Sequence, residues 1–183
     1  VRAWHFVGAK LRDGRPIPAD GVVLRHDGPL VMCESGLHAS EHPFDALQYA
    51  PGHTLCLVEC GGEILRAADK LVCTERTVIV RMDASPLLRH FARQQALSVV
   101  HLWEAPQVAL DFLMGYDWAR TAATLAMAAH MEADQTSASW AARWAAAENT
   151  EWAAMFAAKW AAAEDTARDD FAALVNEAFE DWL

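Results

Sequence analysis

Residues 33–63 read CESGLHASEHPFDALQYAPGHTLCLVECGGE, and the fold turns on this stretch. Gly36 supplies a turn. Leu37 and Ala39 then fall on one face of an extended piece, with His38 on the other. Ser40 is placed as a helix N-cap, with Pro43 in the first turn. Phe44, Leu47 and Gln48 recur at helical spacing, and Tyr49-Ala50-Pro51-Gly52 ends the helix. Leu55, Leu57 and Val58 form a buried strand that Gly61-Gly62 stops. Turn, strand, helix, strand in thirty residues predicts an α+β unit built around this core.

The flanks extend it in both directions. RAWHFV (2–7) alternates and reads as a first strand, and GVVLRH (21–26) as a second. LVMC (30–33) is expected to pair with the second strand as a hairpin, closed by Asp27-Gly28-Pro29. Ile64-Leu65 continues a strand edge, and Lys70–Cys73 and Thr77–Met82 give one or two more strands. The reading is a small mixed β-sheet with one short helix over 1–84. Asp83-Ala84-Ser85-Pro86 marks the boundary, with Ser85 capping a helix from Leu87 to about Trp103.

From 85 to 183 the chain reads as an all-α, Ala/Trp-rich region. WAAAENT at 144–150 returns as WAAAEDT at 160–166, sixteen residues later. Alanine has the strongest helix propensity, so the repeat is helical. Trp140, Trp144, Trp152, Phe156 and Trp160 fall at steps of four and eight, which overshoot the 3.6-residue turn. Breaks are therefore expected at Glu148–Thr150 and at Asp165–Thr166. Thr166 and Asp169 resemble a capping box for a last helix, Ala167 to Trp182.

Charge divides the chain at nearly the same place. The net charge is −10, and the segment from Glu104 onward carries 14 acidic and 4 basic residues, while the remainder balances at 11 of each. This argues against a basic face for duplex nucleic acid and fits a partner protein with a basic surface. VRAWHFVG lacks the basic-then-apolar pattern of a secretory signal, no long apolar run spans a membrane, and the four cysteines have no framework spacing. A cytoplasmic protein with reduced thiols is expected. The His and Cys residues of 33–60 lack metal-site spacing, so no metal is assigned.

Two resemblances add to this. GLHASEHPFDALQYAPGHTLCLVECGG followed by DKLVCTERTVIVR resembles a phage and prophage domain of unknown function. Its members carry a Cys-x-x-Gly-Phe-His segment, a helix like NPLDVLNYY and a strand like CEVEALG. That similarity covers about 2–83 and implies a mobile-element origin. More remotely, the order of elements is similar to ADP-ribosyltransferases of the His-Tyr-Glu type. Trp4-His5, the run from Gly36-Leu37-His38 to Tyr49, and Glu75 before Thr77–Val80 occupy the matching places. That resemblance implies NAD as cofactor, with His5 at the ribose, His38 where a Tyr stacks on nicotinamide, and Glu75 steadying the ribosyl cation. Phe6 stands where that family has a Gly.

The leading expectation is a phage- or prophage-derived accessory protein that acts by protein–protein binding. It would inhibit a host defence or nucleic-acid-handling complex through an acidic, Trp-rich helical surface, without a cofactor. The residues expected to meet the partner are Trp140, Trp144, Glu148, Trp152, Trp160, Glu164 and Asp165. The alternatives are an NAD-using transferase with His5, His38 and Glu75 as catalytic residues, and a self-assembling virion component. A homo-oligomer fits the last of these.

Overall fold

The computed structural model describes residues 1–11, 13–130, 136–161 and 164–183, with the side chains of 128–130, 160 and 164 left aside. The chain divides into two compact units, Val1–Ala84 with Val175–Leu183, and Ser85–Leu174. The last nine residues, which the sequence places with the helical region, thus belong to the sheet unit. Among the described residues no helix is long and apolar enough to cross a membrane.

In the sheet unit the strands are β1 (Arg2–Val7), β2 (Val23–Arg25), β3 (Leu37–Ala39), β4 (Thr54–Arg66) and β5 (Leu71–Asp83), with helix α1 (Pro43–Leu47) between β3 and β4. The architecture is α+β, and all the strand pairings are antiparallel. The order is β1-β4-β5-β2, with β3 also paired to β5. β2 and β3 share one edge of β5, at Glu75–Thr77 and Leu71–Cys73. The two 13-residue strands β4 and β5 form the spine, and each absorbs pieces that the sequence reading kept apart. Their register slips at Leu57/Val58 and again at Gly61/Ile64, where Gly62 takes a φ of 69°. Such bulges let one strand bend without losing its partner.

Three local expectations are corrected. LVMC is not a strand; its only ladder feature among the described residues is a single bridge between Val31 and Ser35. Ser40 does not cap α1. It is extended backbone bridged to Trp4, and the cap is His42, whose Nδ1 accepts from the Phe44 N–H at 3.2 Å. Thr166 does not open the last helix, which already runs from Glu164.

Both faces of β1 are covered. Ala3, Trp4, Phe6 and Val7 are all buried, and His5 between them is partly open. One core cluster gathers Ala3, Val7, Leu37, Ala39, Cys56, Val58, Cys60, Leu71, Cys73 and Val78. Phe179 meets Trp4 edge-on at 5.0 Å. Arg2 Nη1 donates to the carbonyls of Trp182 at 2.8 Å and Leu183 at 3.0 Å.

The helical unit contains α2 (Ser85–Val99), α3 (Gln107–Leu113), α4 (Arg120–His130), α5 (Ser137–Ala145), α6 (Thr150–Trp160) and α7 (Glu164–Ala178), which runs on into the sheet unit's tail. The break between α5 and α6 falls on Glu148–Asn149, where Asn149 Oδ1 accepts from the Trp152 N–H at 2.8 Å. The second expected break, at Asp165–Thr166, lies inside α7, which starts at Glu164, earlier than the sequence reading placed it. The core of this unit is mostly alanine: Ala138, Ala141, Ala142, Ala145, Ala153 and Ala157 are closed off, with Phe112, Leu113 and Met127 filling between the helices.

Candidate cavity in the sheet unit

Within the sheet unit lies a cavity of about 830 Å³. That is the size of a site for a small organic molecule. Three elements build it. β1 delivers His5, directly opposite Cys56 of β4. β3 delivers His38; Ser40, just beyond its end, exchanges two backbone hydrogen bonds with Trp4, at 2.7 and 2.9 Å, and this ties β3 to β1 as well as to β5. β5 delivers Arg76, opposite Leu24 of β2 and Cys60 of β4. Val7, Leu11, Leu24 and Leu37 supply apolar wall.

The polar groups are unevenly satisfied. His38 Nε2 accepts the Cys33 N–H at 2.9 Å, and Cys33 adopts φ 66° to present it. His26 Nε2 and Ser35 Oγ are 3.0 Å apart. At the rim, the Tyr49 hydroxyl bonds Asp69, and Lys70 Nζ donates to it at 2.9 Å while lying over the Tyr49 ring. The Tyr49 contact holds Lys70 above the ordinary lysine range.

His5 and Arg76 are deeper. Burial, then the Arg76 charge, then His38, pull His5 well below the ordinary histidine value, so its imidazole is neutral at pH 7. Arg76 is 6% exposed. Its Nη1 donates to the His38 carbonyl. Burial draws Arg76 below the ordinary arginine range; among the described residues no carboxylate pairs with it, and its titratable neighbours are the thiols Cys60, Cys73 and Cys56. Burial pushes Cys56 up to about 11, and a Cys73 hydrogen bond followed by burial raises Cys60 further. Cys73 is drawn down, first by Cys60, but its Sγ faces the carbonyls of Leu37 at 3.3 Å and Glu75 at 3.0 Å. Only a protonated thiol can bond such acceptors, so we take all three as neutral.

The structure brings His5 and His38 to this one cavity and leaves Glu75 outside its lining. Glu75 follows Thr74 on β5 and precedes Arg76, so its side chain leaves the opposite face of the strand. There Arg25 Nε lies 3.0 Å from Glu75 Oε1. Leu24 and Arg76 line the cavity, while their neighbours Arg25 and Glu75 face away.

Of the residues expected on a partner surface, Trp140 is half-buried beside Arg143, and Trp144 is half-buried and stacked on Phe156 at 4.4 Å. Trp152 is 56% exposed and edge-on to the same Phe156. Glu148 and Asp165 are exposed. The side chains of Trp160 and Glu164 lie outside the described residues. Trp118, which is not among those expected partner residues, is 72% exposed.

Residues 1–90 match a domain of unknown function, DUF7666. Neither a curated protein nor a solved structure matches the chain. The DUF7666 region contains β1 to β5, α1 and, among the described residues, every one that lines the cavity. Sequence reasoning missed Arg76. The signal available was an arginine inside the apolar run of TERTVIV, where a strand with both faces covered has little room for a charge.

Proposed function

We propose that the DUF7666 region is a small-molecule-binding module and that its cavity is the working site of the protein. One observation carries this reading: a space of about 830 Å³ walled by apolar side chains, into which His5, His38 and Arg76 converge. Ligand sites combine an apolar lining with a few placed polar groups in this way. The test is a fragment screen of mixed chemistry followed by 1H–15N NMR on the whole chain. Binders that shift the His5 and His38 signals support the module. A screen in which hits scatter over the surface and spare both histidines overturns it.

NAD is one candidate occupant, in line with the transferase resemblance, and His5 and His38 would then face it. The pairing of Glu75 with Arg25 on the other face of β5 does not favour ribosyl transfer by that carboxylate.

A second reading keeps the phage-type accessory protein that binds a basic-surfaced partner through its helices. Its support is the exposed indole of Trp152 and the exposed acid Glu148 nearby in sequence, on a region that holds all of the excess negative charge. A complex captured at low salt, weakened by added salt and lost in Trp152→Ser, would favour it; capture unaffected by either would count against it.

A further inference from the structure

We propose that the cavity takes a small acid, whose carboxylate or phosphate oxygens seat on the Arg76 guanidinium while its apolar body lies against Val7 and Leu24. This rests on the cavity being a ligand site. Four observations lead to the oxyanion.

First, Arg76 is a cation with 6% of its surface exposed, and what remains exposed opens on the cavity, since Arg76 is one of its lining residues. Second, a guanidinium carries five N–H donors in a planar fork. Among the described residues Arg76 meets one acceptor, the His38 carbonyl. None of the remaining Arg76 nitrogens is both sealed away and lacking a partner, so their free N–H groups reach the open space. Third, the charge has no carboxylate counter-ion among the described residues. A buried guanidinium without one is costly, and an arriving anion would supply the missing charge and a bidentate acceptor together. Fourth, the nearest titratable groups do not compete. His5 is neutral, burial raises Cys56, a Cys73 hydrogen bond and then burial raise Cys60, and Cys73 Sγ faces the carbonyls of Leu37 and Glu75 as a thiol does. The rest of the lining is mixed in charge, with Lys10, Arg15 and Lys70 beside Asp13 and Glu34, so the preference for an anion rests on Arg76 itself.

The alternative role for Arg76 is architectural: its hydrogen bond to His38 clamps β3 onto β5. The two roles separate experimentally. The probes are benzoate, phenyl phosphate and the uncharged isostere benzamide, titrated into the full chain and followed through the Arg76 Nε–Hε and the His5 and His38 ring signals. Benzoate and phenyl phosphate should shift all three, with benzamide binding about ten- to a hundredfold more weakly. In Arg76→Lys, which keeps the charge but not the fork, the oxyanions should still be preferred, by a smaller factor. In Arg76→Met the preference should vanish. If Arg76→Met unfolds, the wild-type comparison of benzoate with benzamide and the lysine variant still decide. Equal binding of benzoate and benzamide at the histidines would overturn the oxyanion seat and leave the ligand site standing. Failure of all three probes, together with a fragment screen that yields no cavity binder, would remove both.

Discussion

Arg25 and Glu75 face each other across β2 and β5, with Nε 3.0 Å from Oε1, and this pairing turns Glu75 away from His5 and His38. Both side chains are substantially exposed, so the pair contributes little to stability. Glu75→Gln should cost no more than about 1 kcal/mol in urea unfolding. It should also leave cavity binding of any small acid within about twofold, which is within ordinary measurement scatter for a residue that makes no contact. A large loss of binding in Glu75→Gln would place the carboxylate at the site after all.

The depressed His5 gives a signed dependence on pH. Burial is the first cause, with Arg76 and His38 adding to it. The unfolded chain takes up a proton near the ordinary value of 6.5, and the folded chain refuses it. The folded state therefore keeps the full contribution above that value and loses it as pH falls toward the folded-state pKa. Wild-type stability should decline relative to His5→Gln from pH 6.5 downward, by at most about 1.4 kcal/mol per pH unit. Urea midpoints at several pH values measure this. A constant difference between the two proteins from about pH 7.5 to about pH 5 would show that His5 titrates normally.

Gly36 has φ 116°, and an added methyl would collide with Val72 Cγ2 and lie 2.7 Å from Leu30 Cδ2. Gly36 immediately precedes β3, so a shift there also moves His38. Gly36→Ala should destabilise by about 2 kcal/mol or more, from the left-handed backbone and the crowding together. Loss of cavity binding should accompany it. A variant with unchanged unfolding would mean that the turn has a second conformation open to L-residues.

In the helical unit, ring burial predicts the order of two substitutions. Phe171 is fully closed off and meets Phe91 edge-on at 5.0 Å, so Phe171→Ala should cost about 3–5 kcal/mol. Trp152 is over half exposed and retains an edge contact with Phe156, so Trp152→Ala should cost no more than about 1.5 kcal/mol. Thermal unfolding of both variants checks the order. Reversal would mean that Trp152 carries packing that its exposure conceals.

What the sequence made legible follows its periodicities. The apolar and aromatic run in RAWHFV and the apolar run around Leu55–Val58 marked two strands, because a strand covered on both faces is apolar at successive positions. A helix start near Ser85-Pro86 was legible, although the helix takes in Ser85, which the sequence reading made its cap, and the break at Glu148–Asn149 followed from the misfit between four-residue steps and the helical turn. Elsewhere long-range pairing decided. Ser40 looks like a cap, but Trp4 takes it into a bridge, and the cap passes to His42. LVMC has strand composition, yet β2 finds its partner in β5, about fifty residues on. For the site, His5 and His38 stood out as histidines in strands. Arg76 did not, because nothing local shows that its neighbours across the sheet are thiols and a carbonyl rather than acids.

The order of the chain is not the order of the units. Residues 85–174 interrupt the sheet unit, whose remaining segment is Val175–Leu183. Bringing that segment back to β1 closes a very long loop, and closure of this kind carries an entropic cost that delays non-local contacts. The helices inside the loop rely on nearer neighbours and are free to settle first. Until the return is made, Trp4 lacks the ring of Phe179, and Arg2 lacks the carbonyls of Trp182 and Leu183. A fragment ending at Ala84 would therefore lose the Phe179 cover of Trp4 and expose more of that indole, even though it holds β1 to β5.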